Sequence, residues 1–273
     1  MYKWLKDTSG TGFLRFGQAP NKRVQDGNKL YWLCEDCEQL FSRWETAFAR
    51  EVFYPLSSEV TDRAAYGHWL LKFCVSVSWR VLNYFLEEAD LDHFPGDLRK
   101  SSARAHQVWQ EFLRGEREHP GRHEQHLLPL ASIGRFSHGE LPPNINQYFL
   151  RTVEMDAVHT KSSAFVFAKL GRFAIMGFIE MPRPREWQGT KVHVRQGFVG
   201  GTDFVLPRTF GEYLFNRPRT MAQRWRQVSA KQWQKIGESY NADPARGAAS
   251  ESFRALDDDV RLFGEGAFMD DGE

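Results

Sequence analysis

The amino-acid sequence predicts an α+β protein, because the spacing of its apolar residues changes twice along the chain. Apolar residues recur at helical spacing from about residue 35 to 114, alternate as in strands between about 126 and 206, and then return to helical spacing. With 41% hydrophobic and 14% aromatic residues in a chain of 273, a substantial core can form. We therefore expect a mostly helical N-terminal half, an antiparallel sheet, and C-terminal helices that end in an acidic tail.

The N-terminal half divides into a turn-rich lead-in and three helices. Glycines and the turn sequences at 20–21 and 26–28 predict an irregular or hairpin conformation for residues 1–33. Helices are then expected from about residue 35 to 53, ended by Pro55, from about 60 to 88, and from about 97 to 114. The polar stretch 115–125 is predicted to be a linker.

Strands and further helices fill the second half. Short runs with period-two alternation predict the strands 127–133, 148–158, 164–169, 173–180, 191–195 and 204–206. Leu170-Gly171-Arg172 is typical of a tight hairpin turn between two of them. Periodic apolar residues after Pro207 predict one more helix, and a second is expected from about Ala230 to Tyr240.

Two cysteines, Cys34 and Cys37, have the C-x-x-C spacing of a zinc-binding pair at the start of a predicted helix. A turn-rich lead-in followed by C-x-x-C on the first helical turn is typical of the second half of a treble-clef zinc finger. A closed structural zinc site needs four ligands, however, and the third cysteine is Cys74, within an apolar helix. A metal site, a reactive dithiol and two incidental thiols all remain open.

Other residues that could complete a metal site have weaker contexts. His119, His123 and His126 are clustered, but they lie in the polar linker, where solvated histidines are expected. His68 and Cys74 are six residues apart, which does not align two ligands on one helical face. We expect Cys74 to be a small core residue.

Charge is strongly polarised although the chain as a whole carries only +1. Residues 183–235 contain eleven Lys or Arg and three acids, whereas residues 236–273 contain three Arg and ten acids. Basic side chains interleaved with Trp225 and Trp233 could bind nucleic acid, with phosphates on the cations and bases on the indoles. The predicted contact residues are Arg217, Arg219, Arg224, Arg226, Lys231 and Lys235.

Two alternatives to this nucleic-acid surface stay open. The charge runs could be the solvated faces of two helices, and the tryptophans the buried stripe of a helix pair. If the surface does bind a polyanion, the acidic groups at 257–259 and 270–271 could cover it until the polyanion displaces them.

Several segments resemble a family of bacterial proteins of the HNH-endonuclease-like type. The resembling segments are 2–6 (YKWLK), 23–27 (RVQDG), 33–38 (LCEDCE), 41–45 (FSRWE), 73–80 (FCVSVSWR), 142–146 (PPNIN) and 191–195 (KVHVR). The resemblance implies a treble-clef zinc site that includes Cys34 and Cys37, and a nucleic-acid substrate.

The sequence departs from that family at its N-terminus. In the family a first C-x-x-C and a His-Ile-Ile-Pro segment precede the stretch equivalent to Tyr2–Lys6, whereas residues 1–33 contain neither Cys nor His. The chain could begin upstream of Met1, the lineage could have lost the segment, or another chain could supply the missing ligands. Two thiolates alone bind zinc weakly, so low occupancy is expected.

Arg43, Glu45 and Arg80 are polar residues within aromatic helices, and they are predicted either to form an ion pair or to be catalytic groups. No Ser-His-Asp arrangement, phosphate-binding glycine loop or H-E-x-x-H motif is present. The first residues lack the apolar core of a signal peptide, and no stretch is apolar enough for a membrane span. With three cysteines in the chain, a cytoplasmic protein is expected.

These observations predict four regions: 1–54 as a partial treble-clef, HNH-like segment, 55–125 as helical, 126–206 as antiparallel β, and 207–273 as C-terminal helices with the acidic tail. The leading functional hypothesis is a nucleic-acid-associated protein of HNH type that binds DNA or RNA, such as a nuclease effector of bacterial defence. The alternatives are a non-enzymatic protein that binds another chain or a second copy of itself, and a toxin with a different target.

Overall fold

The computed structural model describes residues 2–17, 19–24, 30–89, 91–136, 140–161, 163–181, 183–201 and 203–267. Helices and antiparallel strands are both present, which confirms the α+β class. The chain forms two compact units, each assembled from segments distant in sequence. Unit 1 contains Met1–Leu30, Leu130–Thr152 and Arg208–Glu273, and unit 2 contains Tyr31–Pro129 and Val153–Pro207. The expected turn at 26–28 lies outside the described residues.

Unit 2 is built around one buried helix and a four-stranded sheet. Its helices are α2 (Glu35–Phe48), α3 (Tyr54–Ser57), α4 (Trp69–Glu87) and α5 (Gly96–Arg114), with a π-helical turn, Ala49–Phe53, joining α2 to α3. Its strands are β3 (Arg63–Gly67), β4 (Gln125–Pro129), β5 (Val153–His159), β6 (Ala164–Leu170), β7 (Phe173–Glu180) and β8 (Gln196–Gly200).

The sheet has the order β4-β7-β6-β5, and every neighbouring pair is antiparallel. Both β6 and β7 are almost wholly buried, and α4 packs against all four strands. Helix and sheet approach closely at Gly177, where an added Cβ would lie 2.6 Å from Cβ of Ser78. The predicted turn Leu170-Gly171-Arg172 joins β6 to β7, with Gly171 at φ 59°.

The expected helix 60–88 begins only at Trp69, because residues 63–67 form β3 and pair with β8. Ala64 and Tyr66 are buried while Arg63 and Ala65 are exposed, which is the alternation of a strand. The expectation that Pro55 ends the preceding helix was also wrong. Proline is tolerated in the first turn of a helix, and Pro55 lies in the first turn of α3.

Unit 1 joins the N-terminal hairpin to the C-terminal helices. Its elements are α1 (Tyr2–Asp7), β1 (Leu14–Phe16), β2 (Ala19–Val24), α6 (Ile145–Arg151), α7 (Arg208–Trp225), α8 (Ala230–Asn241), α9 (Pro244–Ala249) and α10 (Glu251–Phe263). Strands β1 and β2 pair with each other, and β2 contacts α7. The hairpin and the cysteine-bearing α2 thus belong to different units, and the described residues show no treble clef.

The predicted strand 148–158 proved to be helix α6 followed by β5. Asp259 of α10 causes the difference: its Oδ1 accepts a 2.8 Å hydrogen bond from the backbone N–H of Asn146, and its Oδ2 a 3.1 Å bond from that of Gln147. A carboxylate there satisfies N–H groups that have no partner within the first helical turn. The helix therefore depends on a residue more than a hundred positions away.

Two other strand predictions were too long or misplaced. The strand predicted at 127–133 ends at Pro129. In the predicted strands 191–195 and 204–206, Lys191 and Val205 each form only an isolated antiparallel bridge, to His126 and Gln188 respectively. Across the described residues, every helix is too short or too polar to cross a lipid bilayer.

Candidate nucleic-acid interface and thiol pair

The predicted basic residues lie on two consecutive helices of unit 1. Arg224 lies in the last turn of α7 and Arg226 just beyond it, while Lys231 and Lys235 are one turn apart on α8. Arg226, Lys231 and Lys235 are exposed and Arg224 is partly exposed. The structure therefore brings these four cations to the junction of α7 and α8.

The N-terminal hairpin adds two arginines that the sequence analysis did not assign to this surface. Arg15 of β1 lies directly opposite Arg23 of β2. Arg15 donates hydrogen bonds of 3.3 Å to Oε1 of Gln232, and Arg23 approaches Oγ of Ser239 at 3.5 Å. Because Gln232 and Ser239 are two helical turns apart, both arginines lie along one face of α8.

Lys235 extends the same face, because it lies three residues after Gln232 and four before Ser239. Asn21 fixes the hairpin beside the start of α8: its side chain donates to the carbonyl of Gln227 at 2.9 Å and accepts from the N–H of Ser229 at 2.8 Å. We call Arg15, Arg23, Arg224, Arg226, Lys231 and Lys235 the basic face.

None of the six cations of the basic face has a carboxylate of the described residues within salt-bridge distance. Some arginines elsewhere in unit 1 are neutralised, such as Arg208 by Glu212 and Arg261 by Asp257. Partial burial and the positive charge of Arg23 lower the pKa of Arg15. The basic face therefore concentrates positive charge without an internal counter-ion in the described part of the chain.

The tryptophans of this region are not a buried stripe. Trp225 and Trp233 contact each other with ring centroids 6.0 Å apart, yet Trp233 remains 44% exposed. No residue of α8 is buried. Proteins that bind single-stranded nucleic acids combine exposed aromatic rings, on which bases stack, with cations that contact the phosphates.

Arg217 and Arg219 lie two turns earlier on α7 and have local partners. The Arg217 guanidinium lies over the ring of Tyr213, 4.9 Å from its centroid. Arg219 donates to Oδ1 of Asn216 at 3.0 Å and to the carbonyl of Glu140 at 3.2 Å. Arg217 and Arg219 stay predicted contact residues, two turns before the basic face on α7.

The acidic residues 257–259 do not cover the basic face. Asp259 is fully buried against α6, Asp258 accepts a 2.5 Å hydrogen bond from Ser132, and Asp257 pairs with Arg261 at 2.6 Å. Each carboxylate thus has a structural partner within unit 1, which corrects the expectation for this triplet. Residues 270 and 271 lie outside the described residues.

Cys34 and Cys37 occupy the start of α2 as predicted. Cys34 is the exposed N-cap residue and Cys37 is partly exposed in the first turn. Hydrogen bonds from the backbone N–H and the thiol of Cys37 lower the pKa of Cys34. Donation of that thiol hydrogen bond raises the pKa of Cys37. The two thiols are therefore chemically unequal.

The described residues supply only half of a structural zinc site at this position. They contain no group of three or more His, Cys, Asp or Glu side chains that could hold a metal ion. A closed zinc site needs four ligands, so Cys34 and Cys37 do not complete one within this part of the chain. Zinc at this pair stays a prediction, with two ligands to come from elsewhere.

The histidines of the predicted linker differ from the expectation of a solvated loop. His119 is exposed, but His123 and His126 are 2% and 1% exposed. Nδ1 of His126 lies 2.8 Å from Oγ1 of Thr190, and its Nε2 lies 3.5 Å from Oε2 of Glu124. Burial lowers the pKa of His126, so the ring is neutral near pH 7 and joins β4 to the segment around Thr190.

The structure also locates the other candidate residues, which are Arg43, Glu45, Arg80 and Cys74. Arg80 pairs with Glu45 at 2.7 Å on a partly exposed surface, which is an ordinary ion pair, and Arg43 is exposed. Cys74 is fully buried, as expected, and burial raises the pKa of its thiol.

Comparison of the chain with protein-family models, with curated proteins and with solved structures gave no match. Its function is therefore inferred from its own residues and their geometry.

Proposed function

We propose that the protein binds nucleic acid through the basic face, with a preference for single strands. The observation that carries the proposal is the set of six Arg and Lys side chains in unit 1 that lack a carboxylate partner among the described residues. Other arginines of unit 1, such as Arg261, are paired with acids. Phosphate groups would supply the missing counter-charge.

The preference for single strands follows from Trp233. Its indole is 44% exposed and lies next to Trp225, at the junction where Arg224, Arg226 and Lys231 are located. An unpaired base can stack on this ring while adjacent phosphates contact the cations, whereas bases in a duplex are already stacked on each other. No sequence preference is implied, because both kinds of contact accept any base.

Binding of a fluorescein-labelled single-stranded oligonucleotide, followed by anisotropy at low salt, tests the proposal. The variant Arg224→Gln/Arg226→Gln should bind at least about tenfold more weakly, since two phosphate contacts are lost. The matched control is Arg254→Gln/Arg261→Gln, which removes two arginines of unit 1 that are paired with acids. An affinity of the first variant equal to that of the control would reject the basic face as the binding site.

The HNH-like nuclease activity, the role in bacterial defence, and the partner-binding and toxin alternatives stay predictions from the sequence. No described residue is given a catalytic role.

A further inference from the structure

We propose that Cys34 and Cys37 form a redox-active dithiol that exchanges with disulfides carrying positive charge. A zinc site would need ligands from outside the described residues, whereas a disulfide needs only these two sulfur atoms. Cys34 is the N-cap residue of α2 and Cys37 lies in its first turn, so both cysteines belong to the same end of one helix.

The two cysteines are arranged for different steps of exchange. Cys34 is exposed at the N-cap, where a substrate disulfide can reach its sulfur, and Cys37 is less exposed one turn further on. The Cys34 thiolate attacks one sulfur of the substrate, forms a mixed disulfide and releases the other half as a thiolate. The Cys37 thiolate then attacks Sγ of Cys34 and releases the second substrate thiolate. Two electrons pass to the substrate, and the protein retains the Cys34–Cys37 disulfide.

Nearby charges determine which substrates can approach. Glu35, Asp36 and Glu38 share the first turn of α2 with the thiols, and all three are exposed. Arg114 is the cation whose charge acts on Cys37, and it is paired with Glu116 at 2.9 Å. None of the three first-turn acids has an ion-pair partner among the described residues. Three carboxylates repel an anionic disulfide and attract a cationic one, so the rates should differ by on the order of tenfold or more at low salt.

Reaction of the full-length reduced protein with two small disulfides tests the proposal. Cystamine is the cationic probe and dithiodiglycolate the anionic one, with products identified by mass spectrometry. We expect wild-type protein to lose two hydrogen atoms, and cystamine to react about tenfold faster. Cys37→Ser should stop at a stable adduct on Cys34, because the second step has lost its nucleophile.

Two further variants test whether Cys74 takes part in the reaction and whether the three acids select the substrate. Cys74→Ala should behave as wild type, because Cys74 is fully buried. In Glu35→Gln/Asp36→Asn/Glu38→Gln the ratio of the cystamine rate to the dithiodiglycolate rate should fall about tenfold from its wild-type value, because the intrinsic reactivities of the two probes are the same in both proteins. The dithiol proposal is overturned if both thiols remain reduced in excess cystamine, or if the protein carries tightly bound zinc that protects them. A rate ratio that is the same in wild type and in this triple variant would overturn the charge selectivity.

Discussion

Arg15 and Arg23 face each other directly across the β1–β2 hairpin, and each is held toward α8 by a neutral side chain, Gln232 for Arg15 and Ser239 for Arg23. Two like charges at directly opposed strand positions destabilise a hairpin. Nε of Arg23 is buried and has no hydrogen-bond acceptor in the described part of the chain. A bound phosphate would reduce the repulsion between Arg15 and Arg23 and would give Nε of Arg23 a hydrogen-bond acceptor.

Replacement of Arg23 should therefore change binding and stability in different ways. Arg23→Gln removes the repulsion from Arg15 but loses the long contact to Ser239 and the stacking over Phe13, whose ring centroid is 4.1 Å away, so we expect the free energy of unfolding to fall by no more than about 1 kcal/mol. The affinity for a single-stranded oligonucleotide should fall several-fold, because one phosphate contact is lost. On the same preparation, urea unfolding measures the free energy of unfolding and fluorescence anisotropy measures the affinity. A variant that is destabilised yet binds normally would show that Arg23 has only a structural role.

Trp233→Ala should weaken single-strand binding by about tenfold or more, the effect of losing one stacked base. Binding to a duplex of the same length should change little. The control is Phe253→Ala, because Phe253 is an aromatic residue of the same unit with 41% exposure, located on α10. Equal losses for single strands and duplex would contradict stacking on Trp233.

Asp259 should be needed for stability although it is a buried acid. Burial raises the pKa of Asp259, but its two oxygens accept from Asn146 and Gln147. Asp259→Asn would point an N–H₂ group at a backbone donor, so we expect a loss of about 1–3 kcal/mol in the free energy of unfolding. The neighbouring Asp257→Asn, which breaks only a surface pair with Arg261, should cost less than about 0.5 kcal/mol. Chemical denaturation compares the two.

Glu124 should contribute stability that disappears in acid. The His126 ring and the Lys191 ammonium, 2.5 Å away, lower the pKa of Glu124 to about 2. An unfolded Glu titrates near about 4.3, so the folded state binds fewer protons between these values. The contribution is therefore complete above about pH 4.3 and is lost as the pH falls toward 2. After allowance for solvent screening it is about 1 kcal/mol.

Urea unfolding of wild type and Glu124→Gln at pH 6 and pH 3 measures this contribution. The gap in unfolding free energy between the two proteins should be larger at pH 6. A gap of the same size at both pH values would mean that the pKa of Glu124 is not lowered in the folded protein.

Local signals in the sequence were sufficient where an element depends on its own residues. The strand 173–180 matches its predicted bounds, because an apolar run follows a glycine turn. Helix α5 begins within one residue of its expected start, since its apolar stripe is regular. The position of the C-x-x-C pair at the start of α2 was likewise predictable from the run of acids that follows Cys34.

The sequence did not predict the features that arise where segments distant in the chain meet. Helix α6 depends on Asp259, and the strand predicted from 148 to 158 overlaps the second half of that helix. Arg15 and Arg23 join Lys235 only because the hairpin packs on α8, more than two hundred residues later in the chain. A cation in each strand of a short hairpin was the available signal, but the partner helix of the hairpin could not be inferred from spacing.

The salt dependence of oligonucleotide binding is the most direct test of the basic face. For wild type, the logarithm of the binding constant should fall linearly with the logarithm of salt concentration, with a slope of about −0.7 for each phosphate contacted. Lys231→Gln/Lys235→Gln, two exposed residues with no ion pair in the described part of the chain, should make that slope shallower by about 1.4. A wild-type slope near zero, or an unchanged slope in the variant, would contradict phosphate binding by the basic face.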